Sequence, residues 1–363
     1  MNYKWSILTE EEYQSFAEKN SQANFLNAIN AAERWKQRGW KTEYIGVKEE
    51  NTIVSASLLV SIPRGGFGRY YYCPRGFLMD YKNTELVKYT IEQTKKYLKE
   101  NQGLYWKIDP YYEYQKHLYT GEVIHGTTCD DVLEILKDCG FIHHGLTKGY
   151  DPSVQCRWMS VIPLKRKTEE SLLASFDQRT RRMIRKNIKN QVRVREVKEE
   201  ELDTFVEILH QTGERQHFSD MDKSYYINMK KCYGDHFRLM LAEMPDPESG
   251  NYRPLSAASF VFYGNEVIYL SGGTFTDCMK YNAMYMIQWK MICQALQQNY
   301  ACYNFYGISG YFEKGEEGYG VYEFKRGFRA DVIELIGDFI MPIRPFRYKI
   351  FELAHRIRSN RND

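Results

Sequence analysis

No apolar run in this chain approaches the roughly 18 residues that a membrane-spanning helix needs, so no segment reads as one. Residues 1–6 lead straight into an acidic, helix-like stretch without the apolar region of a secretory signal, and the chain is expected in the cytoplasm. No Walker loop and no Rossmann glycine fingerprint occurs, so neither ATP nor a dinucleotide is implied. The eight cysteines, Cys73, Cys129, Cys139, Cys156, Cys232, Cys278, Cys293 and Cys302, include no C-x-x-C pair. Several lie within apolar patterns, which reads as reduced core cysteines and not as a disulfide framework or a zinc site. His143, His144, His217 and His236 lack metal-ligand spacing, so no metal site is expected and surface or packing roles are. Charge of one sign is also missing. Lys and Arg number 50 against 47 Asp and Glu, a net charge of +3, so any contact with nucleic acid must come from a local patch.

What is present is a globular balance of 43% hydrophobic and 27% charged residues in 363, enough for two domains with a core each. Tyrosine is abundant at 30 copies. A tyrosine-rich surface suits a large amphipathic ligand, since each ring offers an apolar face and a hydroxyl, although core packing uses the same rings.

Periodicity predicts strands over 43–47, 52–61 and 69–73, a helix over 83–99, a short strand over 104–108 stopped by Asp109-Pro110, and a helix capped by Thr128 and ended by Gly140. The second half predicts a helix over 169–190, a strand over 192–195, a helix over 199–212, a hairpin over 237–270, an apolar helix over 282–298 and a strand over 302–305. Each half reads as a mixed sheet with packed helices, an α/β (α+β) class. Residues 244–251 form the most turn-rich link. The tail over 344–361 carries six Arg or Lys among Phe, Tyr, Ile and Leu, compatible with a packed amphipathic helix or with contact with anionic lipid.

The most specific segment runs from Tyr303 to Asp338 and includes Tyr303-Asn304-Phe305-Tyr306-Gly307-Ile308-Ser309-Gly310 and Tyr322-Glu323-Phe324-Lys325-Arg326-Gly327-Phe328. With Tyr72-Cys73-Pro74-Arg75-Gly76, Lys107-Ile108-Asp109-Pro110, the Arg-rich stretch 179–186, Tyr269-Leu270-Ser271-Gly272-Gly273 and Gln288-Trp289, it resembles the Fem aminoacyltransferases that build the interpeptide bridges of peptidoglycan. The resemblance runs along nearly the whole chain. It implies two GNAT-like domains, residues 1–155 plus 337–363 and residues 156–336, facing each other across a substrate cleft. Where some members insert a long helical arm, this chain has only the short loop around 244–253, like the armless members.

The family's motif places its catalytic lysine at Lys325, where a fixed cation would act on the oxyanion of aminoacyl transfer, charge that develops only in the transition state. Without the motif, Lys325 reads as a lysine at a strand edge. Asp109 is the candidate base or amine-orienting carboxylate, shielded by Tyr105, Trp106 and Tyr111 so that its pKa would rise; without that role, Asp-Pro makes a turn. Lys36 and Arg215 match family positions that hold the diphosphate of the acceptor, with Arg38 a neighbouring alternative to Lys36. Tyr105, Tyr269 and Phe324 complete the implied acceptor contacts. The helix carrying Arg181, Arg182, Arg185 and Lys186 offers a cationic face for a tRNA backbone, or a solvated surface.

The resemblance thus implies an aminoacyl-tRNA donor, a muramyl-pentapeptide precursor as acceptor, a monomer, and no bound cofactor because the ester arrives activated. An acyl-CoA-dependent N-acyltransferase on the same fold and a non-catalytic precursor- or tRNA-binding protein are the alternatives.

Overall fold

The computed structural model describes residues 2–216, 221–246 and 250–359. Its first element, Tyr3–Leu8 (β1), leads into Glu10–Ala17 (α1). Thr9 fixes that helix start. Its hydroxyl accepts from the Glu12 amide (3.2 Å) while the Glu12 carboxylate accepts from the Thr9 amide (3.0 Å), satisfying two helix-end donors at once. Ile29–Gln37 (α2), Lys41–Glu49 (β2), Thr52–Pro63 (β3), Arg69–Cys73 (β4), Leu78–Met79 (β5), Thr84–Glu100 (α3), Gly103–Ile108 (β6), Glu113–His117 (β7), Asp130–Asp138 (α4) and Ile142–His143 (β8) follow. The helix expected to be capped by Thr128 has its capping position one residue later, at Cys129, without a side-chain cap. The Thr128 hydroxyl is instead committed to the Gln115 side chain.

Next come Trp158–Pro163 (β9), Glu169–Ser175 (α5), Gln178–Lys189 (α6), Arg193–Glu196 (β10), Leu202–Gln216 (α7), Lys223–Tyr233 (α8), Phe237–Pro245 (β11), Tyr252–Tyr263 (β12), Glu266–Thr274 (β13), Met284–Gln297 (α9), Cys302–Ile308 (β14) and Tyr319–Arg326 (α10). The single helix expected over 169–190 is two. Phe176 and Asp177 are extended, because the Phe176 ring is buried against Trp289 (5.8 Å) and Phe328 (5.2 Å) and the Asp177 carboxylate caps α6 at the Thr180 amide (2.6 Å). The segment expected as one hairpin is three antiparallel strands, β11, β12 and β13. Of the turn-rich link, residues 247–249 lie outside the described residues, as does His217.

Asp331–Leu335 (β15), Phe339–Pro342 (β16) and Pro345–Ser359 (α11) close the chain. Contacts divide it into two units, Met1–Lys116 with His125–Arg157 and Glu334–Asp363, and His117–Ile124 with Trp158–Ile333. The first unit holds a mixed sheet ordered β1-β2-β3-β4-β6-β16-β8, in which β4 and β6 are parallel. The returning strand β16 pairs antiparallel with β6. The second unit holds the run β10-β11-β12-β13-β14-β9, in which β13 and β14 are parallel. Helix α9 fills this unit's core with Ile287, Trp289, Met291 and Ile292.

Candidate active site

In the first unit, sheet register brings three strand ends together. Cys73 on β4 lies opposite Ile108 on β6, so Pro74-Arg75-Gly76 and Asp109-Pro110 leave the sheet side by side. Phe339 on the antiparallel β16 also lies opposite Ile108, which sets Asp338 at the same end. Asp109 is fully buried. Its Oδ1 accepts from the Arg75 amide (2.8 Å), and its Oδ2, without a hydrogen bond among the described residues, faces the Arg75 guanidinium at 3.7 Å. Arg75 is buried too. It adopts a left-handed backbone (φ 52), donates to the Cys156 carbonyl (3.0 Å) and lies over the Tyr111 ring (5.7 Å). Next to it, a Cβ at Gly76 would collide with the Ser57 hydroxyl, so the glycine lets the turn pack closely on β3. Burial pushes the Asp109 carboxyl up to about 6; Arg75 opposes the rise and Asp338 adds to it. Asp338 is itself paired with Lys107 at 2.8 Å.

In the second unit, β13 and β14 pair only over Glu266–Ile268 with Cys302–Asn304, although both strands run on. Where they part, β14 bulges against β9 between Asn304 and Gly307, with Tyr306 at φ 62. The bulge has its own clamp. The Asn304 Oδ1 accepts from the half-buried Tyr306 amide (2.7 Å), and its Nδ2 donates to the Glu266 carboxylate (2.9 Å), with both Asn304 and Glu266 buried. The carbonyls it turns outward accept from one ammonium: the Lys325 Nζ donates to Gly307 O (2.6 Å) and Tyr306 O (3.3 Å). Lys325 is buried in helix α10, not placed at a strand edge. Phe324 beside it packs on Tyr285 (5.0 Å) and Phe328 (5.4 Å), fixing the helix.

Tyr269 is the first β13 residue beyond the shared stretch and packs on Phe260 (5.6 Å). Burial raises its phenol well above the ordinary value, so it stays a protonated donor. A Cβ at Gly272 would strike that hydroxyl at 2.6 Å. Arg215 reaches from α7 to the far end of the same strand, donating to Thr276 Oγ1 (2.9 Å) and the Thr274 carbonyl (3.3 Å).

The other expected residues have no contact with these two groups among those described for their own unit. Lys36 is exposed on α2 and pairs with Glu33 at 3.7 Å, while Arg38 lies over the Trp35 ring (5.2 Å). Tyr105 stacks on Tyr70 (4.5 Å) and lines a cavity of about 330 Å³ with Tyr348 and Phe351. On α6, Arg182, Arg185 and Lys186 are exposed, but Arg181 holds the α5–α6 joint through the carbonyls of Ala174 (2.8 Å) and Phe176 (2.6 Å). Reading the sequence did not single out Arg75, Asn304 or Glu266. Arg75 and Asn304 stood in quoted motifs without a role, and an asparagine inside an apolar strand was the available signal for the clamp.

The FemAB family model matches residues 8–249 and 246–356. The chain belongs to the FemAB family. FemA, an aminoacyltransferase of Staphylococcus aureus (strain bovine RF122 / ET3-1), is 30% identical over 416 aligned positions, covering 98% of this chain and 99% of the relative. The alignment is longer than this chain, so the relative carries additional segments, in keeping with the armless expectation. The crystal structure of FemX superposes with a TM-score of 0.84 at 22% identity, covering 96% of this chain and 99% of the other. A tandem GNAT protein from the clavulanic acid biosynthesis pathway reaches 0.50 at 8% identity, covering 94% and 99%. The expected fold class therefore holds: a mixed α/β, tandem GNAT-like architecture. As a FemAB member, the chain is an aminoacyltransferase.

Proposed function

We propose that this enzyme transfers an amino acid from aminoacyl-tRNA to the stem-peptide amine of a peptidoglycan precursor, a muramyl pentapeptide in nucleotide- or lipid-linked form. The observation that carries the reading is the buried Lys325 ammonium, held by the Gly307 and Tyr306 carbonyls where β13 and β14 part. Attack of the amine on the ester carbonyl builds an oxyanion, and collapse expels the ribose hydroxyl. A cation already fixed in place stabilises that charge without reorganising at the moment of reaction. Tyr269, protonated, supplies a second donor beside the same split, and Arg215 and Lys36 supply cations for the diphosphate.

Full burial and the bond to the Arg75 amide favour an orienting role for Asp109 over direct proton abstraction. In this reading it sets the turn that presents the acceptor. Arg182, Arg185 and Lys186 meet the tRNA backbone. The enzyme works as a cytoplasmic monomer in peripheral contact with the membrane, where a lipid-linked acceptor resides.

A CoA donor is less well supported. Residues 275–283, which lead from β13 into α9, contain no glycine and include the 3-10 turn Thr276–Tyr281. A pyrophosphate cradle at that helix start needs a glycine-rich backbone with its amides turned to the ligand. Calorimetric titration with the nucleotide-linked pentapeptide tests the acceptor half of the proposal. Binding that weakens in Arg215→Ala and Lys36→Ala is expected; absence of binding to both nucleotide- and lipid-linked forms would contradict it.

A further inference from the structure

Helix α11 has two unlike faces. Tyr348 and Phe351 turn inward onto Tyr105, at ring distances of 5.1 and 5.9 Å. Phe346, Ile350, Leu353 and Ile357 are instead 77%, 44%, 61% and 48% exposed. Steps of four, three and four residues put these side chains on one line along the helix. By the same helical geometry, Lys349 and Arg356 fall on one flank of that line and Arg347 on the other, and all three are exposed. The acidic residue of the helix, Glu352, lies toward the inner face and lines the cavity with Tyr105 and Tyr348, and Arg356, one turn on, stands at the rim of the same cavity.

An exposed apolar line bordered on both sides by cations fits a helix lying in the plane of a bilayer surface. Its apolar side chains enter the acyl boundary while the cations meet anionic headgroups. Among the described residues no helix is long and apolar enough to cross a membrane, so the contact would be peripheral. We propose that α11 docks the enzyme on an anionic lipid surface through Phe346, Ile350, Leu353 and Ile357, with Arg347, Lys349 and Arg356 on the headgroups. A second copy of the chain is a poorer occupant, because pairing two such faces brings like charges together. The docking deepens the proposed function and rests on it for its purpose, access to a lipid-linked acceptor; the binding itself is measured without any transfer.

Flotation of the full chain with vesicles containing phosphatidylglycerol, against pure phosphatidylcholine vesicles, tests this surface. The protein is expected to float with the anionic vesicles and not with the neutral ones. The paired change Phe346→Ser with Leu353→Ser is expected to weaken binding by about tenfold or more, and Arg347→Glu with Lys349→Glu similarly. If the serine variant fails to fold, the charge-reversed variant decides. Docking is overturned if the unaltered chain ignores anionic vesicles, if both variants float as well as it does, or if light scattering finds a dimer that the serine changes split. Transfer to a nucleotide-linked acceptor should persist in both variants. A chain that floats yet transfers nothing would keep the docking surface and remove the proposed reaction.

Discussion

The Lys325 ammonium lies 2.6 Å from the Gly307 carbonyl, joining helix α10 to the bulge of β14. Neither partner acts alone. The bulge presents the carbonyls, and the helix delivers a cation whose position they fix. Removing the cation while keeping the length of the side chain separates its electrostatic role from its packing. Lys325→Met is expected to slow turnover by about 10²–10³, the usual cost of an oxyanion partner. Affinity for the precursor should stay near that of the unaltered enzyme. Rapid-quench turnover beside direct binding checks both, and an unchanged rate would contradict the assignment.

The clamp behind that carbonyl is Asn304, which holds the Tyr306 amide and the Glu266 carboxylate. Asn304→Ala leaves a half-buried amide and a buried carboxylate without these partners, a loss of about 1–3 kcal/mol. A lower melting temperature and a reduced kcat with little change in KM are expected, since the change reaches the reaction through the position of Lys325. A melting shift with full turnover would show that the bulge does not position the cation.

Asp109 gives a pH prediction with a definite sign. Its carboxyl is raised from 3.8 to about 6 by burial, so between those values the folded chain binds more protons at this site than the unfolded chain. This group's contribution to stability therefore falls as pH rises from about 4 to about 6 and is level above that. Asp109→Asn leaves the buried Arg75 without its anion, so the variant should be less stable overall. Its stability should nevertheless lack this downward step. Chemical denaturation of both proteins across the window measures the difference, and parallel curves would contradict the assignment.

The basic helix α6 divides into two roles. Arg182→Glu with Arg185→Glu should raise KM for charged tRNA and flatten its salt dependence, leaving KM for the acceptor unchanged. Arg181→Ala should lower stability, because its guanidinium binds the carbonyls of Ala174 and Phe176 at the α5–α6 joint. Equal effects of both changes on tRNA would contradict the division.

Strong periodicity made much of the fold legible: β4 falls where alternation over 69–73 put it, and α3 and α9 lie within two residues of expectation. Local pattern failed where tertiary burial decided, as at Phe176, whose packing on Trp289 and Phe328 interrupts a stretch that reads as one helix. Within the candidate site, Lys325 and Asp109 were visible because motifs carried them. Arg75 and the Asn304–Glu266 clamp were not, since their partners lie 34 and 38 residues away in sequence and only strand register joins them. The exposed line on α11 was half legible: its cations stood out in the tail, while which apolar residues lack cover depended on the packing of Tyr348 and Phe351 against Tyr105.

The central claim is tested most directly by incubating the purified enzyme with mixed charged tRNAs and a nucleotide-linked muramyl pentapeptide, with the lipid-linked form in parallel, and reading the acceptor by mass spectrometry. The account predicts one added amino-acid residue on the stem peptide, abolished by prior RNase treatment. No added mass on either acceptor, or addition that survives RNase, would contradict it.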